Sequence, residues 1–187
     1  MKKFPGIFYQ FVKRNISSKQ YFFLIFSDIS STQFPNRTTL DYIKISDDKR
    51  YELINGELIM TPSPVPKHQR VSKKIEFILE KFVSGNNLGE VFYVPCDVYL
   101  DNENVVQPDI LFISKDRLDI IGKKNIQGAP NLTIEIISEN SVYKDMVQKK
   151  RLYAKFNVIE YWIVITEEEE IEVYILEGNA YQLYHNI

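Results

Sequence analysis

A mixed α/β fold, with a central sheet and helices on its flanks, is predicted by three stretches of this chain. Residues 132–137, Leu-Thr-Ile-Glu-Ile-Ile, form a short β-branched apolar run suited to a buried strand. Past residue 140 the period changes: Val142, Met146, Leu152, Tyr153 and Phe156 recur at helical steps and share one stripe. Upstream, Asn55-Gly56 separates two apolar-rich arms. A type I′ turn needs positive φ at both central positions, so this pair is a strong β-hairpin signal.

Composition bounds the problem. The 187 residues are 44% hydrophobic and 26% charged, enough for one globular domain with a buried core plus an extension. We place the domain at 38–187 and read residues 1–37 as an N-terminal extension, expected to be poorly ordered. Its apolar cluster, residues 21–26, is too short to span a bilayer, and Lys13, Arg14 and Lys19 interrupt any signal-peptide core. The single cysteine, Cys96, excludes a disulfide framework and a cysteine-based zinc site, and a reducing, cytoplasmic setting fits best. The net charge of −2 does not announce a nucleic-acid binder, although a local basic face would suffice for one.

In chain order, Thr38 is a candidate cap for a short helix beginning Thr39-Leu40-Asp41-Tyr42. The hairpin over residues 51–60 follows, and Pro62, Pro64 and Pro66 make a stiff connection. Residues 68–83 place Val71, Ile75, Ile78, Leu79 and Phe82 on one helical face, with Gly85-Asn86-Asn87 as the stop. Residues 91–100 read as one strand, with Pro95 a kink or edge mark. Residues 105–114 read as another, with Pro108-Asp109 near its start. A loop or short helix to Pro130 leads into the central strand and helix. A buried strand at 161–165, an acidic turn and a C-terminal hairpin around Glu177-Gly178-Asn179 complete the order.

Glu135 lies within the apolar strand, where a carboxylate is costly unless a cation faces it. Lys149 falls on the inward stripe of the next helix; the competing reading is a surface lysine whose stem covers apolar area. Asp145, one turn earlier, is a candidate i, i+4 partner for it. Alternation puts Asp109 on one face with Leu111 and Ile113, aimed to the side of Glu135; alone it also reads as a turn aspartate entering a strand. Two acids on neighbouring strands repel, and a bound Mg²⁺ or Mn²⁺ would relieve that. Glu57 follows the Asn-Gly turn and is a candidate to reach the site, against a solvated hairpin charge; Glu52 has the weaker claim. His68 reads as a helix-start residue or a proton relay, and Tyr153 as core. No phosphate-binding glycine loop, nucleophile elbow or dinucleotide fingerprint is present.

These residues carry a resemblance. Pro108-Asp109 followed by Glu135 in an apolar strand resembles the PD-(D/E)XK nuclease superfamily. YELINGEL at residues 51–58, His68-Gln69, VQPDILFI, NLTIEIIS, the Asp145–Lys149–Tyr153 ladder and NVIEYWIV together resemble the Uma2 family of restriction-endonuclease-like proteins. The resemblance spans residues 38–184. It implies a restriction-endonuclease-like core with N- and C-terminal β-hairpins, Asp109 and Glu135 as metal ligands, and the Ile136 carbonyl as a third oxygen. The superfamily lysine normally stands two residues after the strand acid. Here that position is Ile137, and the resemblance points to Lys149 instead, with Glu57 matching the family's hairpin glutamate. Asn157 stands where a glycine is usual, and Ile165 where an aspartate often follows the Tyr-Trp pair.

The expected function is that of a Mg²⁺- or Mn²⁺-dependent endonuclease acting on DNA: Asp109 and Glu135 bind metal, Lys149 orients the attacking water and Glu57 assists. The rival is a catalytically inactive member of the fold serving as a binding or assembly module, with the aromatic C-terminal hairpin a candidate homodimer surface. No membrane partner is expected.

Overall fold

The computed structural model describes residues 37–137 and 143–186, with side chains in the second stretch from residue 146 onward. The N-terminal extension up to residue 36, the strand-to-helix connection at 138–142 and the Asp145 side chain lie outside the described residues. In order come α1 (Thr39–Tyr42), β1 (Arg50–Ile54), β2 (Glu57–Thr61), α2 (Pro66–Asn86), β3 (Gly89–Tyr93), β4 (Val98–Asp101), β5 (Asn104–Val106) and β6 (Ile110–Ser114). A 3₁₀ turn (Lys115–Ile120), β7 (Ile126–Gln127), β8 (Leu132–Ile137), α3 (Tyr143–Lys155), β9 (Glu160–Ile165), β10 (Glu170–Glu177) and β11 (Ala180–Asn186) follow. Among the described residues no helix is long and apolar enough to cross a membrane.

The class is mixed α/β, with two sheets where one was expected. The larger runs β11-β10-β9-β8-β6-β3, the smaller β2-β1-β5-β4-β7. Strands β8 and β9 are parallel, Leu132 opposite Glu160 through Ile137 opposite Ile165, so α3 is the crossover that parallel neighbours require. The second sheet arises because the strands expected at 91–100 and 105–114 each divide. One half pairs in the large sheet, Tyr93 opposite Ile110, and the other in the small sheet, Val98 opposite Val106. The breaks fall at Pro95 and Pro108, which have no N–H to give to a ladder. A two-stranded ribbon thus bends from one sheet into the other, and Asp109 sits at the bend.

Period-two alternation sorts the core into two layers. Leu132, Ile134 and Ile136 pack with Leu79 and Val83 of α2 on one face of the large sheet. On the other face Leu111, Ile113, Tyr161 and Ile163 pack with Leu152 and Tyr153 of α3 and with Ile54, Val98 and Val106 of the small sheet. Glu135, between Ile134 and Ile136, falls on this second face.

Asparagine supplies three of the left-handed positions. Asn55 and Gly56 have φ of 51° and 76°, the I′ signature at the hairpin tip. Asn87, at φ 53° and ψ 46°, ends α2, whereas Gly85 is still helical. Asn157 at φ 60° turns the chain into β9, its short polar side chain tolerating this region.

Candidate active site

The large sheet, the small sheet and α3 meet around a cavity of about 200 Å³. Its wall includes Arg50, Glu52, Ile59, the 62–65 connection, His68, Gln107, Asp109, Glu135, Ile137, Met146 and Lys149.

Asp109 precedes β6 at the bend. The β6–β8 ladder ends at Ile110 opposite Ile134, and the next free donor on β8, the Ile136 N–H, goes to Asp109 Oδ2 at 2.8 Å. The same oxygen lies 3.1 Å from His68 Nε2, in the first turn of α2. The hydrogen bond to Asp109 raises the His68 pKa, against the opposing effect of burial.

Glu135 is buried. Its Oε1 accepts a 2.6 Å hydrogen bond from the Tyr153 hydroxyl, and each carboxylate oxygen lies 3.1 Å from Lys149 Nζ. Lys149 and Tyr153 stand four residues apart on α3, so one helix face delivers both. Burial pushes Glu135 up to about 7; the charges of Asp109 and Glu52 add to the rise, and Lys149 and Tyr153 oppose it. For Lys149, burial works against the charge, but Glu135, Glu52 and Asp109 outweigh it and hold the ammonium above the ordinary lysine range.

Glu52 completes the cluster from β1. It is 4% exposed, its Oε1 is 2.8 Å from Lys149 Nζ, and it accepts the Gln107 main-chain N–H at 2.7 Å. Gln107 is itself fixed: its Nε2 donates to Asp97 Oδ1 at 2.7 Å and its Oε1 accepts from Arg50 Nε at 3.1 Å. Lys149 therefore sits between two acids from different sheets.

Of the residues singled out from sequence, Asp109, Glu135 and Lys149 line the same cavity, and Glu57 does not. Glu57 is exposed at the first position after the turn, so the hairpin glutamate at the cavity is Glu52. Glu52 lies deeper, opposite Ile59, where β1 runs between β2 and β5 of the small sheet. Consecutive apolar residues do not single it out, since Leu53-Ile54 in β1 is matched by Leu58-Ile59-Met60 in the less buried β2. Gln107 acts through its main chain and carries no sequence signal. Tyr153, read as core, is fully buried but also places its hydroxyl on Glu135. Among the described residues, no group of three or more His, Cys, Asp or Glu side chains is arranged to hold a metal ion.

The fold is a mixed α/β one with a parallel β8–α3–β9 unit and an acid–lysine–acid cluster joining the two sheets, beside Asp109 at the bend of the β-ribbon. The chain belongs to the Uma2 family, described as "Putative restriction endonuclease", whose model matches residues 38–186. It is also similar in fold to the crystal structure of "a putative nuclease belonging to DUF820" from Anabaena variabilis ATCC 29413, with a TM-score of 0.68 and 19% sequence identity. That match covers 79% of this chain and 83% of the other. No curated protein matches the chain.

Proposed function

We propose that this protein is a divalent-cation-dependent endonuclease that hydrolyses DNA phosphodiester bonds in a reducing, cytoplasmic compartment. The observation that carries the reading is the burial of Lys149 between Glu52 and Glu135, in the cavity that also receives Asp109. A buried charge cluster of this kind is weak support for a fold, because apolar residues of similar volume often serve stability as well or better. Its presence at a cavity in a nuclease-type fold favours chemistry.

The donor chemistry fits Mg²⁺ or Mn²⁺. The acids offer hard oxygens, and the charge of Asp109 is one of the causes that raise Glu135, a repulsion that a cation would relieve. Mg²⁺ is commonly held through only one or two carboxylates, the rest of its shell being water and substrate oxygens. Asp109 and Glu135 would hold the ion, with the Ile136 carbonyl as a third oxygen. When bound, such an ion supplies Lewis acidity at the phosphate and a more acidic water.

The chain's own groups do the rest. The Ile136 N–H and His68 fix Asp109 through Oδ2. Tyr153 holds Glu135 at Oε1. The Lys149 ammonium donates to the attacking water and offsets charge that develops on the phosphate. Positioning and preorganised electrostatics are the expected sources of rate.

A second reading, a non-catalytic binding or assembly module, is favoured by one observation: both oxygens of Glu135 are already engaged by Lys149. The exposed Leu183 and Tyr184 on β11 are its candidate contact surface, including for a homodimer. Plasmid DNA incubated with the purified chain and Mg²⁺ or Mn²⁺ separates the two. The nuclease reading expects nicking that Asp109→Asn and Glu135→Gln abolish; nicking that survives both substitutions removes these residues from the mechanism, and no nicking with either ion favours the module.

A further inference from the structure

We infer that Glu52 is a positioning residue that draws the Lys149 ammonium away from Glu135 and so opens Glu135 to a divalent cation. The inference rests on the metal-dependent reading above and extends it to a residue outside the proposed ligand set.

With no ion bound, Lys149 neutralises Glu135 from 3.1 Å at both oxygens. A cation arriving at Glu135 must displace this ammonium or share the carboxylate with it. An ammonium left in a buried site without a partner would be strongly unfavourable. Glu52 removes that obstacle. It is already the nearer acid, at 2.8 Å from Nζ, and it can keep Lys149 paired once Glu135 turns to the ion. Glu52 is also anchored independently of Glu135, which the Tyr153 hydroxyl holds. Glu52 Oε1 accepts the Gln107 N–H, and Gln107 is tied to Asp97 and Arg50. The holder of the lysine is therefore braced by the small sheet, while Glu135 projects from the large one. Once retained by Glu52, the ammonium stays in the cavity, where the proposed reaction needs it.

The test is calorimetric titration of Mn²⁺ into wild type, Glu52→Gln, Lys149→Met and the double variant E52Q/K149M, with no DNA present. Glu52→Gln leaves Lys149 with Glu135 alone, so Mn²⁺ binding should weaken by roughly tenfold, within the coupling range of close charge pairs. Lys149→Met removes the competitor and should tighten binding by a similar factor. In the double variant the effect of Glu52→Gln should vanish, leaving affinity at or above that of wild type.

Lys149→Met leaves two buried acids facing each other and is the variant most exposed to misfolding. The single Glu52→Gln and the double variant carry the test without it, with thermal melts confirming that each is folded. Wild-type binding that Glu52→Gln leaves unchanged overturns the inference and spares the metal reading. Weakening that persists in the double variant makes Glu52 a direct ligand and also overturns it. Absence of Mn²⁺ binding in wild type, Lys149→Met and the double variant overturns both.

Discussion

The Tyr153 hydroxyl donates a 2.6 Å hydrogen bond to Glu135 Oε1 in a region where both side chains are buried. It joins α3 to β8 at the point where the chain places a carboxylate inside an apolar strand. A buried carboxylate that loses a donor bears its own desolvation. Tyr153→Phe should therefore destabilise the protein by about 1–3 kcal/mol at pH 8, as read by urea unfolding. An unchanged midpoint would mean that Lys149 alone satisfies Glu135.

Stability should fall with rising pH when no divalent ion is present. Burial pushes Glu135 from 4.5 to about 7, so the native state binds this proton more tightly than the unfolded chain does. That contribution is fully present below pH 4.5 and is lost as pH rises through about 7. His68, raised by its hydrogen bond to Asp109, acts in the same direction, its contribution fading as pH passes its own raised value. The melting temperature should drop between pH 5 and pH 8, and Glu135→Gln should remove much of the slope. A melting temperature that climbs across this window would contradict the burial of Glu135 as the controlling cause.

The two hairpin glutamates should differ sharply. Glu57 is exposed, and Glu57→Ala should change stability by no more than about 0.5 kcal/mol. Glu52→Ala removes one partner of a buried ion pair and orphans the Gln107 N–H, for a cost of about 3 kcal/mol. Denaturant unfolding of the two variants side by side checks this, and equal effects would place Glu52 outside the network.

Two backbone and core positions test the architecture. A Cβ at Gly89 would collide with the Ile113 carbonyl oxygen, and its φ of 153° is one that side chains rarely adopt. Gly89→Ala should loosen β3 from β6, detected as faster amide exchange along residues 89–93. Leu79, 1% exposed under the large sheet, should cost about 2–5 kcal/mol as Leu79→Ala, because α2 cannot close over the gap. Loss of less than 1 kcal/mol would mean that α2 is only loosely docked.

What local pattern can specify was legible in the chain. The Asn55-Gly56 hairpin, α2, β8, α3 and the C-terminal hairpin each follow from periodicity or turn chemistry among near neighbours. The alternation that turns Glu135 from the α2 side of β8, and the helical stripe that carries Lys149, are local in the same sense. The division of the 91–100 and 105–114 segments between two sheets was not legible, since Pro95 and Pro108 mark interruptions without saying which partners the freed halves take.

The choice between Glu52 and Glu57 was settled in the same way. Both sit in one hairpin, and only the docking of β1 beneath the large sheet makes one buried and leaves the other in water. Hydrogen bonds and ion pairs such as Glu52–Lys149 join residues that share no local period. Their energy depends on three-dimensional proximity and low local dielectric, which a one-dimensional pattern does not encode.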